Sequence, residues 1–269
     1  MKKLLFILSC GLMFLHGAEI LKPSDASQWF KIRGADPVKL EEIDGENVFV
    51  IRGVGDYRSR DFLKIVPGKS YLLSGEFKSA EKSVPAKLFF GLYENDKNGK
   101  LITSAYVFAI KDTQTKLLDA APAGTVTLKV KDASKWQTKV GSCAAFNVKS
   151  DFSDLPNPRL SPKIKSVAKV DNGYLLTLAE PLKHSYPAGT AIRQHRFAGS
   201  YHYTAGNKML TADWQSFSII ITGTAAYGVP VQRWWRGIDS AALLILANYG
   251  GGSDSVMLMK NLKLEELTR

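Results

Sequence analysis

Short hydrophobic segments separated by turn residues constrain the fold of this chain more than any other feature. They are rich in β-branched and aromatic residues, are bounded by Gly, Pro, Asn or Asp, and include 47–52, 70–77, 86–93 and 216–222. Beyond residue 18, no stretch of ten or more residues has the apolar spacing of an amphipathic helix. This pattern predicts an all-β fold, an antiparallel jelly-roll β-sandwich, rather than an α/β sheet.

The N-terminus has the pattern of a secretory signal peptide. Two lysines precede an apolar run at 4–15, and small residues follow it at 17–18. A helix of twelve residues is about 18 Å long, shorter than the roughly 30 Å hydrocarbon core of a membrane, and no later segment is longer. We therefore predict a cleaved signal peptide at 1–18, a secreted or periplasmic mature protein and no membrane span. The alternative is a lipoprotein box at 7–10, anchored through Cys10, which the continuing apolar run disfavours.

A central segment, residues 117–196, differs in composition from the rest of the chain. Turn and breaker motifs punctuate it at 122–125, 155–162, 171–173 and 187–190. The first and last of these are copies of Pro-Ala-Gly-Thr. Because structureless loops of this length are rare in compact domains, we predict a small β-barrel-like domain inserted in a sandwich made of 19–116 and 197–269. The alternative is a long ordered excursion of the same sandwich.

Positive charge is concentrated in the central segment. The chain has 36 Lys+Arg against 25 Asp+Glu, a formal net charge of +11. The central segment holds 12 Lys+Arg and 6 Asp+Glu, a net of +6, whereas the two sandwich segments together carry a net of +3. We therefore expect the central segment to face an anionic surface, polymer or neighbouring domain. A nucleic-acid partner is disfavoured, because export is predicted and no nucleic-acid-binding fold is recognisable.

Outside the central segment, several motifs follow one another in the order of a known family. They are a strand at 28–30, a Pro-Gly-Lys-x-Tyr turn at 67–71, a strand opened by a tryptophan at 213–217, and a closing hairpin at 241–246 and 255–264. In these motifs the chain resembles the secreted jelly-roll carbohydrate-binding modules of families four, nine, sixteen and twenty-two, over about 27–115 and 198–267. The resemblance implies a sandwich that binds polysaccharide without catalysis.

The chain departs from this family at a calcium site. The closing strand of these modules commonly carries an Asp that helps to hold a structural calcium ion, and the matching stretch here reads Met259-Lys260-Asn261-Leu262. A lysine opposes a bound cation. We therefore expect no cofactor, with calcium held by Asn261 and backbone oxygens as the alternative.

Sugar binding requires flat aromatic side chains, which stack on pyranose rings, beside planar hydrogen-bond donors such as arginine. Three clusters combine the two and form the predicted site: Tyr57, Arg58 and Arg60; Tyr201 and Tyr203; and Arg233, Trp234, Trp235 and Arg236. Alternation along a strand places Arg58 with Arg60, and Tyr201 with Tyr203, on common faces. By the same rule, one of the two adjacent tryptophans is expected to be buried and the other exposed. The paired arginines of the third cluster favour a carboxylate or sulfate partner.

Motifs of catalysis are missing from the sequence, which has no Gly-x-Ser-x-Gly, His-Glu-x-x-His or P-loop. Cys143, the cysteine that remains after removal of the signal peptide, is expected to pack in the core rather than act as a nucleophile. We therefore predict a non-catalytic, exported carbohydrate-binding protein. The excess of basic over acidic residues favours an acidic or sulfated polysaccharide as its ligand.

The alternative function is a structural or adhesive cell-surface sandwich that makes protein contacts. A carbohydrate site is expected to place Tyr57 and Trp234 or Trp235 in one solvent-facing groove, and substitution of Arg233 or Trp235 by alanine to weaken glycan retention. In an adhesive protein these aromatic residues are expected to be buried or spread over a flat apolar patch.

Overall fold

The structure, a computed structural model, describes residues 20–267 apart from 35 and 139–140. The predicted signal peptide at 1–18, and with it Cys10, lies outside the described residues. No helix in the described part of the chain is long and apolar enough to cross a membrane.

Antiparallel strands account for nearly all of the regular secondary structure in the described chain. In order, they are β1 (Ile20–Leu21), β2 (Trp29–Gly34), β3 (Lys39–Ile43), β4 (Glu46–Arg52), β5 (Gly55–Ser59), β6 (Leu63–Lys64), β7 (Ser70–Ser79), β8 (Lys87–Asn95), β9 (Thr115–Lys116), β10 (Thr127–Val130), β11 (Ser142–Phe146), β12 (Ile164–Val170), β13 (Gly173–Leu178), β14 (Ala191–Arg196), β15 (His202–Met209), β16 (Gln215–Thr222), β17 (Ser240–Ala247) and β18 (Val256–Leu267). A short 3-10 helix lies at Ala26–Gln28, and a single turn of α-helix, α1, at Ser104–Val107.

Two six-stranded sheets form a sandwich. Sheet I has the order β16-β7-β18-β4-β3, with β1 paired to β18, and sheet II has the order β15-β8-β17-β5-β2, with β6 paired to β17. The chain passes repeatedly from one sheet to the other, as between β7 and β8 or β17 and β18, as in jelly-roll sandwiches. The predicted all-β, antiparallel sandwich is confirmed.

Alternation along the strands decides which side chains fill the space between the sheets. In β7, Tyr71, Leu73 and Phe77 lie on the buried face, while the residues of the opposite face are partly exposed, as expected for a strand with one solvent-facing side. The ring of Phe77 lies 4.9 Å from that of Phe90 on the opposite sheet. Strand β17 is buried on both faces, so side chains of neighbouring strands must cover its outer surface. Those covering side chains form the candidate site.

Strands β9 to β14 form two three-stranded sheets, III (β11-β14-β9) and IV (β10-β13-β12). They enclose a separate hydrophobic cluster, drawn from residues between Leu117 and Ile192, whereas no residue of the main sandwich cluster comes from this range. Strands β9 and β14 pair, which brings the two ends of the central segment together. The division of the chain into domains stays a prediction, since an ordered excursion of the sandwich also has these features.

A buried polar network lies at the base of the central segment. The Arg193 guanidinium donates to Asp154 Oδ2 at 2.9 Å and to His195 Nε2 at 3.3 Å, and His195 Nδ1 donates to the carbonyl of Ala105 at 2.7 Å. Burial lowers the pKa of His195 to about 4, so the ring is neutral at pH 7. On the paired strand, burial raises the pKa of the Cys143 thiol to about 12, and its predicted place in the core is confirmed.

Candidate functional site

The outer face of sheet II carries a continuous row of aromatic rings. Neighbouring ring centroids are 5.3–6.1 Å apart, and most of the contacts are edge-to-face. In spatial order the rings are those of Phe62, Tyr93, Tyr201, Tyr203, Phe89 and Tyr249. We call these six residues the aromatic row. Two of them, Phe89 and Tyr93, are paired across the strands with Leu246 and Ala242 on β17.

The local sequence of β8 places two of these rings. Leu88, Phe90 and Leu92 point into the sandwich core, so Phe89 and Tyr93 point outward. Between them lies Gly91, where a Cβ atom would be 2.0 Å from the carbonyl oxygen of His202. The absence of a side chain at this position lets β15 approach β8 closely. That approach brings Tyr201 and Tyr203 alongside the two β8 rings.

One end of the aromatic row borders a cleft of about 560 Å³. Its lining includes Phe89, Tyr201, Tyr203, Tyr249, Arg33 and Asp56. The volume is within the range of small-molecule and sugar sites, and several aromatic rings with a few polar groups are typical of such a lining.

An ion pair between Arg33 and Asp56 supplies the charged groups of the cleft. The Arg33 Nη2 atom lies 3.0 Å from the Asp56 carboxylate, and the guanidinium lies 5.2 Å from the centroid of the Tyr249 ring. The hydrogen bond to Asp56 raises the pKa of Arg33. Burial raises the pKa of Tyr201 and of Tyr203, and the charge of Asp56 acts in the same direction on both, so both phenols keep their protons at neutral pH. The cleft therefore offers hydroxyl donors and a pair of opposite charges.

Arg58 closes the other end of the row. Its guanidinium lies over the rings of Phe30, Phe62 and Tyr93 at 4.6, 4.9 and 5.5 Å, and burial lowers its pKa. Arg60 also lies against Phe30, at 5.8 Å, while its Nε donates to the backbone of the 3-10 helix. The predicted placement of Arg58 and Arg60 on one side, and of Tyr201 and Tyr203 on one face, is confirmed.

Tyr57 does not reach this face. Its ring is buried in the sandwich core, and its hydroxyl donates to the carbonyl of Asp36 at 2.7 Å. Burial raises the pKa of Tyr57 to about 12. Tyr57 alternates with Asp56 and Arg58 along β5, so the strand that presents those two residues outward must turn Tyr57 inward.

The expectation that one of Trp234 and Trp235 is exposed is wrong, because their relative exposures are 0% and 2%. Trp234 packs in the sandwich core against Tyr71. Trp235 does face away from that core, but the segment around α1 covers it, with Ile102 and Val107 in contact. The arginines on either side of the two tryptophans do not take part in the site. Arg233 is exposed and Arg236 is partly exposed, but neither lines the cleft.

Trp235 contacts the site through the buried side chain of His202. It stacks on His202, with ring centroids 5.3 Å apart and an interplanar angle of 13°. His202 Nδ1 lies 2.6 Å from Glu94 Oε1, and its Nε2 donates to the carbonyl of Val231 at 3.0 Å. This buried histidine ties β15 to β8 and orients the tyrosines on either side of it toward the cleft.

Several residues of the site were not predicted from the sequence, namely Arg33, Asp56, Phe89 and Tyr249 of the cleft and Tyr93 of the aromatic row. The alternation of 86–93 contains the signal for Phe89 and Tyr93, since a strand with a buried face presents its other residues outward. Arg33 and Tyr249 come from the ends of β2 and β17, and their approach depends on strand pairing over more than 200 residues of chain.

The calcium position implied by the family resemblance is engaged in protein contacts. Lys260 forms an ion pair with Glu46, and the Asn261 side-chain amide donates to Glu76 Oε1 at 2.9 Å. Among the described residues, no group of three or more His, Cys, Asp or Glu side chains converges as a metal site would require. The position therefore presents a lysine charge and an occupied amide to a cation.

Fold and site together define a class: an antiparallel β-sandwich with an open, aromatic-lined cleft on the outer face of one sheet. No protein-family model matches the chain, and no curated protein matches it in sequence. The function must therefore be inferred from the chemistry of the cleft itself.

Proposed function

We propose that the chain is an exported, non-catalytic carbohydrate-binding protein that binds a glycan along the aromatic row. The single observation that carries this proposal is the row of six contacting rings that ends in a cleft containing Arg33 and Asp56. Aromatic faces match the apolar C–H faces of sugar rings, and the row is long enough to contact more than one sugar unit. The Arg33–Asp56 pair and the tyrosine hydroxyls would hydrogen-bond the sugar hydroxyls.

The charge of the cleft favours a neutral sugar at this position. Arg33, the cation in its lining, is already paired with Asp56, so an incoming sulfate or carboxylate would compete with that carboxylate. A preference for acidic or sulfated polysaccharide, which the basic composition favours, would therefore come from another part of the chain.

A structural or adhesive role is the alternative, and it calls for a contiguous apolar surface. Burial of Tyr57, Trp234 and Trp235 was the arrangement expected for that role, so these three residues do not support sugar binding. However, outside the aromatic row such exposed side chains are scattered: Leu40 on β3 and Ile220 on β16 lie at opposite edges of sheet I, and Val126 precedes β10 in the central segment. The aromatic row on sheet II favours the glycan.

The test is retention of the purified mature chain on a glycan array and in affinity gels that contain neutral or anionic polysaccharides. We expect Tyr203→Ala and Tyr249→Ala each to weaken binding of the retained neutral glycan about tenfold, since aromatic anchors contribute on the order of 1–2 kcal/mol. Trp214→Ala is the matched control, because Trp214 lies on the outer face of sheet I against Val48, Val50 and Leu258.

Two outcomes would contradict the proposal. One is a wild-type chain that no glycan retains while it remains folded by circular dichroism. The other is an equal loss of binding in Trp214→Ala and in the two cleft variants, which would show that retention does not depend on the aromatic row.

A further inference from the structure

The central segment contains a second cleft, of about 350 Å³, on elements that do not contribute to the aromatic row. Its lining comes from two irregular segments, 158–162 and 180–184, and from Tyr186. We call this the central-segment cleft. Its volume lies at the lower end of the range for sites that hold a small molecule or one sugar unit.

The floor of the central-segment cleft is rigid. Tyr186 is 9% exposed and stacks face to face on the buried Phe146, with ring centroids 3.8 Å apart and an interplanar angle of 5°. Its backbone exchanges two hydrogen bonds of 2.8 Å with Ala121. The aromatic surface is therefore already in place before any ligand arrives, which reduces the entropy lost on binding.

The 158–162 segment is fixed by backbone hydrogen bonds to β11. Phe146 donates its N–H to the carbonyl of Arg159 at 2.9 Å, and Ser161 donates its N–H to the carbonyl of Ala144 at 2.7 Å. Ser161 Oγ also accepts from the N–H of Ala144 at 2.9 Å. These bonds hold the backbone of Arg159 beside the cleft while its side chain remains exposed.

Positive charge predominates around this cleft. Arg159 and Lys183 line it with exposed, positively charged side chains, and Glu180 is the acidic residue among the lining groups. Burial raises the pKa of Tyr186, while the charge of Arg159 acts in the opposite direction, so the guanidinium is near the phenol. The cleft thus combines an aromatic floor with cations at its rim, in a segment with a net charge of +6.

We propose that the central-segment cleft binds an acidic sugar unit of a polysaccharide, with a carboxylate or sulfate group held between Arg159 and Lys183 and the sugar ring against Tyr186. The guanidinium fork matches the planar geometry of such an anion, and the aromatic floor matches the sugar. The recessed position of Tyr186, which lines the cleft with the segments 158–162 and 180–184, suits a polymer unit entering a cleft better than a flat lipid surface. The site is separate from the aromatic row, so the proposal does not depend on a neutral glycan binding there.

The experiment compares pairs of polymers that differ in anionic groups: dextran sulfate against dextran, and polygalacturonate against its methyl ester. We expect the wild-type mature chain to bind at least one anionic member more tightly than its neutral counterpart. Substitution of both Arg159→Ala and Lys183→Ala is expected to weaken that binding about tenfold, as charge-assisted hydrogen bonds are lost. The matched control is Lys165→Ala with Lys169→Ala, which removes the same charge from exposed positions on β12.

Equal weakening in both double variants would overturn the proposal, because net charge alone would then explain the binding. An unchanged affinity of the Arg159→Ala/Lys183→Ala variant for the anionic polymers would also overturn it. Competition with inorganic sulfate separates the two sources of the anion. If inorganic sulfate displaces dextran sulfate at equal sulfate concentration, the cleft is a site for small anions, and the proposal of a polysaccharide site is overturned. Thermal unfolding of each variant verifies that it is folded. The Tyr203→Ala variant is expected to keep the preference for anionic polymers, whether or not its binding of neutral glycans is weakened.

Discussion

At the scale of single residues, the surroundings of a side chain decide its chemistry, and His195 is the clearest example. Its ring is fully buried, Nδ1 donates to the Ala105 carbonyl, and Nε2 accepts from Arg193. A second proton on Nε2 would face the guanidinium and would have no water to solvate it. Burial is the larger cause of the lowered pKa, and the charge of Arg193 adds to it.

We predict that His195 makes the stability of the fold depend on pH between about 6.5 and 4. In this range the unfolded chain binds a proton that the native ring does not, so the free energy of unfolding falls as pH falls. For a pKa of about 4 against 6.5, the loss is about 3 kcal/mol. Urea unfolding at a series of pH values, for wild type and His195→Gln, measures it.

Glutamine at position 195 can donate to Ala105 and accept from Arg193, but it does not titrate. The pH dependence of its unfolding free energy should therefore be flatter than that of wild type over the same range. Identical slopes for the two proteins would show that His195 does not carry the effect.

At the scale of elements, the pairing of β8 with β15 builds the site. Its register shifts twice, between Tyr203 and Ala205 and again between Ala205 and Lys208. Such irregularities bend a strand and redirect its side chains. Together with the close approach at Gly91, they place Tyr201 and Tyr203 beside Phe89 and Tyr93.

Gly91→Ala should therefore damage both stability and glycan binding. The new Cβ would meet the backbone of His202 and Tyr203, which cannot move without separating the strands, at a cost of about 1–3 kcal/mol. Gly206→Ala in β15 is the matched control, because its Cβ would have its nearest neighbour at an ordinary 3.6 Å. Denaturant unfolding and affinity gels compare the two variants. If Gly206→Ala lost as much stability as Gly91→Ala, close approach at position 91 would not be the cause.

At the scale of the whole molecule, the two largest hydrophobic clusters of the described chain share no residue. The sandwich cluster uses residues before 93 and after 204, and the second cluster uses Leu117 to Ile192. The strand pair β9–β14 closes the central segment at its base. The buried ion pair of Arg193 with Asp154 lies near that base.

We predict that the sandwich folds without the central segment. Residues 117–190 would be replaced by Asn-Gly, a turn suited to a two-residue hairpin, with Arg193→Ser added because excision removes Asp154. We expect cooperative unfolding and undiminished retention by neutral glycan, together with loss of the preference for anionic polymers. Circular dichroism and affinity gels provide these readouts. A shortened chain that unfolds without cooperativity would mean that the two clusters depend on each other.

Much of the fold follows from the sequence alone. Short segments with a period of two, such as 70–77, specify strands with one buried face, and turn residues such as 171–173 specify their ends. The antiparallel sandwich could be predicted because these signals are local. The pairing of Tyr201 with Tyr203 on one face could be predicted for the same reason.

The identity of the exposed aromatic residues was decided by the tertiary structure. Trp235 faces away from the sandwich core as alternation requires, yet it is buried because α1 crosses over it. Phe62, Tyr93, Tyr201 and Tyr249 lie far apart in the chain and form one row through the pairing of strands in sheet II. Alternation along a strand determines on which side a residue lies. Whether that side is exposed to solvent depends on segments that are distant in sequence. How those segments pack cannot be predicted from a local pattern.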